Sequence, residues 1–306
     1  MNKNGIVFYN FGSKCVARLL VALYSLRRVY NGPVTLMLAT KDDHNERLSK
    51  QLETFNINFI WFDIDSKGTK RNVKSILKPY LFTLSPYQNT LLIDADVVFL
   101  KPFNELFKSI EEKGFLVTQF SNWRSNGKTM TKRLEILRGI FNDKQMEAAL
   151  NDHPAVNIGV LGYNKPLGDK LLRKWTQVTE KVAGKFIADE VAMQGVYFWY
   201  SHYVAEEKYN YSCHYGKDFS KANIIHYHGS KASNPNRFSS RLWWGMVKEL
   251  KDLKGSDIDY WLLQDPGAAQ VIKENPNDFI FSCYNDLQKL LKNGTEVSQE
   301  DEGVEE

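Results

Sequence analysis

Two aspartates separated by one residue, Asp94 and Asp96, sit between the apolar runs Leu91–Ile93 and Val97–Leu100. In an extended chain, residues i and i+2 share a face, so both carboxylates address one point. Two like charges held together are unfavourable unless a cation or a proton intervenes. Carboxylate oxygens suit Mg²⁺ or Mn²⁺, which also take phosphate oxygens as ligands. Aspartates are common in plain turns after strands, but apolar runs on both sides favour the metal reading. Far downstream, His226-Tyr227-His228-Gly229-Ser230-Lys231 follows Ile224-Ile225. An imidazole there can complete a mixed oxygen–nitrogen set. Either His226 or His228 could join Asp94 and Asp96 as that nitrogen ligand. Gly229 permits close backbone approach to a ligand, and Lys231 offers a point charge for phosphate. Asn157, two residues before Gly159 in a strand-like run, presents an amide suited to a hydroxyl group. Asp189-Glu190 opens a helical segment, where acids complement the helix dipole.

The elements that must position these residues alternate in type. Gly5–Tyr9, Val34–Ala39, Asn58–Phe62 and Thr90–Ile93 read as strands. Between them Lys14–Tyr30, Asp42–Phe55 and Val73–Leu84 carry helical spacing, with Pro79 predicting a break or kink in the last. This order predicts an α/β fold with a mostly parallel, Rossmann-like sheet flanked by helices. Ligands of such sheets bind beyond the carboxyl ends of strands. That rule singles out Asn10–Ser13, Asp63–Asp65 and Asp94–Asp96. Beyond residue 115 come a strand at Phe115–Gln119, a charged helical segment at Thr131–Leu150 and a strand at Pro154–Gly162. Helices at Leu167–Ala183 and Ala188–Tyr200 follow, then a strand into a turn at Asn223–Gly229 and a basic helix at Arg237–Leu253.

The 306 residues are 43% apolar and 25% charged, ordinary for a soluble globular chain. Three cysteines without a C-x-x-C pair exclude a disulfide framework and a structural zinc site. Residues 296–306 hold six acids and no base, so the rest of the chain carries +10 against +4 for the whole. A basic body favours anionic partners such as nucleotide phosphates, nucleic acid or an anionic membrane. No nucleic-acid motif accompanies the charge, which ranks a nucleic-acid acceptor low. The apolar run Cys15–Leu26 is interrupted by Arg18 and preceded by a strand pattern, unlike a secretory leader, and no stretch is long enough to cross a bilayer. A cytoplasmic location is the expectation. The sequons at Asn210 and Asn293 are read as chance.

These features, in this order, resemble the glycosyltransferase-A fold enzymes of the glycogenin and bacterial galactosyltransferase type, family eight of the glycosyltransferases. The match reads Tyr9-Asn10-Phe11, then Lys78, Asp94-Ala95-Asp96, Asn157-Ile158-Gly159-Val160, Asp189-Glu190 and His226-Tyr227-His228-Gly229. It spans residues 5–231, about three quarters of the chain. Three departures stand out. Lys231 comes one residue early and no Pro-Trp follows it. Glu190 replaces a Gln. The basic segment 121–152, with Arg124, Lys128, Lys132, Arg133 and Arg138, lengthens the chain between Asp96 and Asn157 like an insertion.

The resemblance implies a catalytic domain over 1–231, comprising a nucleotide-binding half (1–100), the helical insertion (121–152) and an acceptor and metal half (153–231). A helical extension (232–292) and a disordered acidic tail (293–306) complete the expectation. It further implies hexose transfer from a nucleotide-sugar, a UDP-sugar above others, to a glycan, lipid-linked or protein acceptor, with Mn²⁺ or Mg²⁺ and with retention of configuration. Asp94, Asp96 and His226 would hold the metal. Tyr9, Asn10, Phe11, Lys78, Ala95, Gly229 and Lys231 would hold the donor. Asp189, Asn157 and Lys78 would act at the reacting centre. Asp189 or Glu190 as a general base would instead suit inversion. A metal-dependent nucleotidyltransferase shares the sheet and acidic site, but Gly12 stands alone where a glycine-rich phosphate loop would lie. A non-catalytic carbohydrate- or polyanion-binding module is the other alternative. In that reading Arg237–Leu253, with Trp243 and Trp244, lies on a membrane interface; core packing is its competing role.

Overall fold

β1 (Asn4–Asn10) is the spine of the sheet. Ile6 and Phe8 point into one apolar layer and Val7 into the other, as a strand's period of two requires. The computed structural model describes residues 3–39, 45–62, 70–120, 128–151, 154–185, 187–214, 218–274 and 277–300. From β1 the chain runs through α1 (Val16–Arg27), β2 (Val34–Ala39), α2 (Asn45–Leu52), β3 (Asn58–Phe62), α3 (Lys70–Leu84) and β4 (Asn89–Ile93). β5 (Val97–Phe99), α4 (Glu105–Lys113) and β6 (Phe115–Gln119) follow, then α5 (Lys128–Arg138), α6 (Asp143–Asn151) and β7 (Val156–Asn164). Next come α7 (Asp169–Lys181), α8 (Ala188–Val196), β8 (Tyr203–Ala205), β9 (Tyr211–Ser212) and β10 (Ile224–His226). The described chain closes with α9 (Ser240–Lys251), α10 (Ile258–Gln264), α11 (Pro266–Lys273) and α12 (Asn277–Glu300).

The main sheet has the order β3-β2-β1-β4-β7-β6-β8. Four of its six neighbouring pairs are parallel, and β7 runs antiparallel to both β4 and β6. The expected α/β architecture is present. A second sheet, β5-β10-β9, was not anticipated. β10 falls in the strand read at Asn223–Gly229, but periodicity does not show which strands pair, and Val97–Phe99 reads in sequence as the flank of the aspartate pair.

Both faces of the main sheet are covered. Leu36, Leu38, Leu91 and Ile93 share a layer with α1 and α9 residues, while Met37 and Leu92 share one with α3, α7 and α8. The α3 helix continues unbroken through Pro79, where a break or kink was expected. Proline removes one helix hydrogen bond and crowds the preceding turn. Burial of Leu77, Leu81 and Phe82 around it offsets that cost. The segment 121–152 does supply two helices, α5 and α6; Arg124 and the Asp63–Asp65 turn lie outside the described residues. α12 continues to Glu300, into the stretch from 293 expected to be disordered, and no proline stands between Asn277 and Glu300 to stop it. Residues 301–306 lie outside the described residues.

The basic helix is α9. Trp243 and Trp244 are wholly buried, and the helix packs on α12 and α1. The membrane-interface reading would need those indoles on the surface, so core packing accounts for this aromatic face. No helix among the described residues is long and apolar enough to cross a membrane.

Candidate metal and donor site

The chain passes from β1 to β2 on one side and returns to β4 on the other, so the carboxyl ends of β1 and β4 adjoin at the point where strand order reverses. Such a point leaves a crevice between diverging connections. Tyr9–Phe11 leave one strand there and Asp94–Asp96 leave the other. The Tyr9 hydroxyl donates to Asp94 Oδ1 at 3.1 Å, joining the two loops.

Asp94-Ala95-Asp96 is a bend where the chain leaves the main sheet for β5. The two carboxylates converge through this bend rather than through an extended strand. β10 pairs antiparallel to β5, with His226 opposite Val97. The small sheet thereby carries His226 to the aspartates: its Nε2 lies 3.5 Å from Asp96 Oδ1 and 3.9 Å from Asp94 Oδ2. One ligand atom from each of the three residues falls within 4.8 Å of the others. His226 Nδ1 is buried without a hydrogen-bond partner. Two carboxylates this close to each other and to an imidazole call for a cation or a proton between them. The donor set of two carboxylates and a nitrogen fits Mn²⁺ or Mg²⁺.

Two glycines make this geometry. Gly159 faces the imidazole so closely that a Cβ would stand 2.4 Å from His226 Cε1. Gly229, at φ 84°, turns the chain after His228 so that its N–H donates to Asp96 Oδ2. His228 itself hydrogen-bonds Ser212 Oγ through Nε2 at 2.9 Å and packs beside His226, with ring centres 4.2 Å apart. His226, not His228, therefore faces the carboxylates.

The electrostatics are those of a half-buried acidic pair under compensation. Burial acts to raise the Asp96 carboxyl, but His226, the Gly229 amide and His228 together hold it below the ordinary range. Lys78 Nζ lies 2.9 Å from Asp94 Oδ2 and donates to Ile158 O at 3.1 Å. Burial alone would lower this ammonium; Asp94 and Asp189 outweigh burial and raise it. The Asp189 carboxyl is pushed up to about 6, chiefly by burial, against the pull of Lys78 and with help from Asp94. Its Oδ1 accepts the Glu190 N–H at 3.0 Å, and α8 is anchored beneath it by Trp175 Nε1 donating to Asp189 O at 2.8 Å.

Asn157 is turned inward. Its Nδ2 donates to Glu190 Oε2 at 2.8 Å, and its Oδ1 accepts Gly159 N–H at 2.8 Å and Asn210 Nδ2 at 2.7 Å. The side chain shapes the floor under Gly159. Asn210 is buried by the same network, so its sequon is inaccessible. Glu190 is also buried, and Arg133 of α5 pairs with it. Sequence reasoning noted Arg133 and Glu190 separately but not their pairing, which no spacing rule connects.

A cleft of about 230 Å³ is lined by Tyr9, Asn10, Phe11, Cys15, Arg18, Asp94, Ala95, Asp96 and Gly229. Seven of these were candidates from sequence; Cys15 and Arg18 were not. The one signal for Arg18 is a charge within the apolar stripe of α1. Asn10 Nδ2 donates to Gly12 O at 3.1 Å, which leaves its Oδ1 buried without a partner. Lys231 lies elsewhere, its Nζ 2.8 Å from His214 Nε2. A larger hollow of about 650 Å³ near α1 and α2 holds none of the candidate residues; its Arg27 is engaged by the carbonyls of Phe55, Gly32 and Asn56.

No protein-family model matches the chain, and no curated protein matches it by sequence. Solved structures do. The apo structure of the bifunctional glycosyltransferase WbbM superposes with a TM-score of 0.58 at 12% identity, covering 89% of this chain and 51% of that one. The chain thus spans about half the length of WbbM. The galactosyltransferase LgtC in complex with donor and acceptor sugar analogues superposes with a TM-score of 0.57 at 15% identity, covering 82% of this chain and 98% of that one. An active-site mutant of LgtC gives the same values. At such identities the likeness is one of architecture: the parallel sheet, its antiparallel β7 and the flanking helices are the glycosyltransferase-A fold.

Proposed function

We propose that the chain is a divalent-metal-dependent glycosyltransferase that moves a hexose from a UDP-sugar to a hydroxyl acceptor with retention of configuration. The observation that carries this reading is the convergence of Asp94, Asp96 and His226 within 4.8 Å, beside a cleft at the sheet's switch point. The fold shared with solved glycosyltransferases supports it.

Asp94, Asp96 and His226 would hold the metal, which when bound would supply Lewis-acid stabilisation of charge on a departing diphosphate. Tyr9 orients Asp94 through its hydroxyl, and Phe11 packs edge-on to Tyr9 at 5.8 Å. These rings and Asn10 form the wall for base and ribose. His226 and then the Gly229 amide hold the Asp96 carboxyl below its usual range, and the amide aims it. Lys78 fixes Asp94 and contributes positive charge where negative charge grows. Asp189, close to Lys78 and Asp94, would meet a hydroxyl of the donor sugar or acceptor. Its raised pKa suits a group that accepts a hydroxyl hydrogen bond in its ionised form near neutral pH.

Thermal unfolding with UDP and Mn²⁺ tests the donor site without knowledge of sugar or acceptor. Ligand at a hundredfold over its Kd adds about 2.7 kcal/mol, a rise on the order of 5 °C. The rise is expected to need Mn²⁺ and to vanish in Asp94→Asn/Asp96→Asn. No rise with UDP or any other nucleoside diphosphate overturns the reading. A UDP-sugar panel then identifies the donor, and NMR of the product anomer tests retention. Release of pyrophosphate instead would assign a nucleotidyltransferase.

A further inference from the structure

Arg18 stands in the first turn of α1 and lines the cleft that holds Asp94, Asp96 and Gly229. It is the cationic side chain of that lining, and it is only 8% exposed. Its Nε donates to Asp265 Oδ2 at 2.7 Å. No hydrogen bond engages Nη1 or Nη2 among the described residues, and neither is among the fully buried polar atoms.

Asp265 does not depend on this contact alone. It is fully buried and caps α11, its Oδ1 accepting Gly267 N–H at 2.8 Å, Ala268 N–H at 3.3 Å and Ser233 Oγ–H at 2.9 Å. The carboxylate is thus supplied by neutral donors and held rigid by a helix end. Its second oxygen grips the guanidinium by one edge and leaves the other edge free. A guanidinium fork is the side-chain shape that meets two phosphate oxygens at once. Burial beside an acidic pair strengthens such a contact, because little water competes. The N-terminus of α1, without a side-chain cap, opens from the same loop and adds the positive end of a helix dipole.

We propose that Arg18 binds the diphosphate of the nucleotide donor, opposite the Asp94–Asp96–His226 cluster, in the position of charge that the sequence offered to Lys231. Lys231 is turned to His214, outside the cleft lining. Asp265 is the positioning residue for Arg18 and ties the donor cleft to the C-terminal helices. This assignment rests on the nucleotide-sugar reading above.

Calorimetric titration with Mn²⁺ present tests it, using UDP, GDP and ADP alongside their bare nucleosides. Arg18→Gln is expected to weaken the preferred diphosphate by about tenfold or more, the scale of one charge-assisted pair, and to leave its nucleoside unchanged. Affinity for the diphosphate within about twofold of wild type overturns the proposal while the donor site stands, since the loss of one such pair exceeds that margin. Equal losses for diphosphate and nucleoside also overturn it, since they mark a purely structural role. A larger diphosphate-selective loss in Lys231→Gln returns the role to Lys231. Wild-type protein that binds no diphosphate overturns both readings together. Should Arg18→Gln fail to fold, Arg18→Lys carries the test. One ammonium cannot hold Asp265 and two phosphate oxygens, so a diphosphate-selective loss is expected, and unchanged affinity refutes the assignment.

Discussion

Arg133 of α5 and Glu190 of α8 form a buried ion pair that joins the inserted helices to the wall of the metal site. Glu190 also accepts Asn157 Nδ2 at 2.8 Å and the Ile158 N–H at 3.4 Å. A carboxylate at this depth requires a cation, and the insertion supplies one. Burial lowers the Arg133 guanidinium to about 10, still charged at neutral pH. Removing one partner strands the other: Arg133→Met is expected to cost about 3–5 kcal/mol of stability. Arg133→Met/Glu190→Gln should recover most of that, because the charge and its counter-charge leave together. A double-mutant cycle by urea unfolding measures the coupling; simple additivity would show that the pair does not act as a unit.

Gly159 limits how the imidazole can sit. A methyl group there would stand 2.4 Å from His226 Cε1 and 2.5 Å from Nδ1. Gly159→Ala is therefore expected to displace His226 and weaken Mn²⁺ binding roughly 10- to 100-fold, as loss of a supporting contact does elsewhere. EPR titration of free Mn²⁺ reads this directly. Unchanged affinity would mean that His226 is not held by this contact.

Asp189 makes stability depend on pH. Its folded pKa of about 6 exceeds the ordinary 3.8. The unfolded chain therefore gives up this proton first as pH rises, and the native state loses stability through that interval. In metal-free protein, wild type should lose ground against Asp189→Asn as pH climbs from about 4 to about 6, with a constant gap above. Melting temperatures of both proteins across that range, with chelator present, test the sign. A gap that does not change with pH rules out the raised pKa.

The same residue shapes the expected rate profile. If an ionised Asp189 accepts a substrate hydroxyl, kcat/KM rises with pH through an acid limb, and Asp189→Asn both lowers kcat and removes the limb. A limb retained in Asp189→Asn assigns it to another group.

Composition and pattern alone determined the alternating strands and helices, the sheet class and the chemical type of the central residues. Apolar periodicity is local, and β1, β2, β3 and β4 lie within two residues of their sequence-predicted bounds. The order of Asp94, Asn157, Asp189 and His226 along the chain was equally visible, because each lies just beyond, at the head or at the end of a readable element. Tertiary structure decided which of them meet. Only the pairing of β10 with β5 brings His226 to the distant aspartates, and although β10 is legible as an apolar run, its partner strand is not. Asn157 faces Glu190, Lys231 faces His214, and Arg18 faces the cleft, although each is a polar residue of unremarkable local context. The indoles of α9 carry an amphipathic signature compatible with a membrane or a core, and contact with α12 made it core. Side-chain direction and long-range partnership depend on contacts between segments far apart in sequence, and local residue spacing holds no record of them.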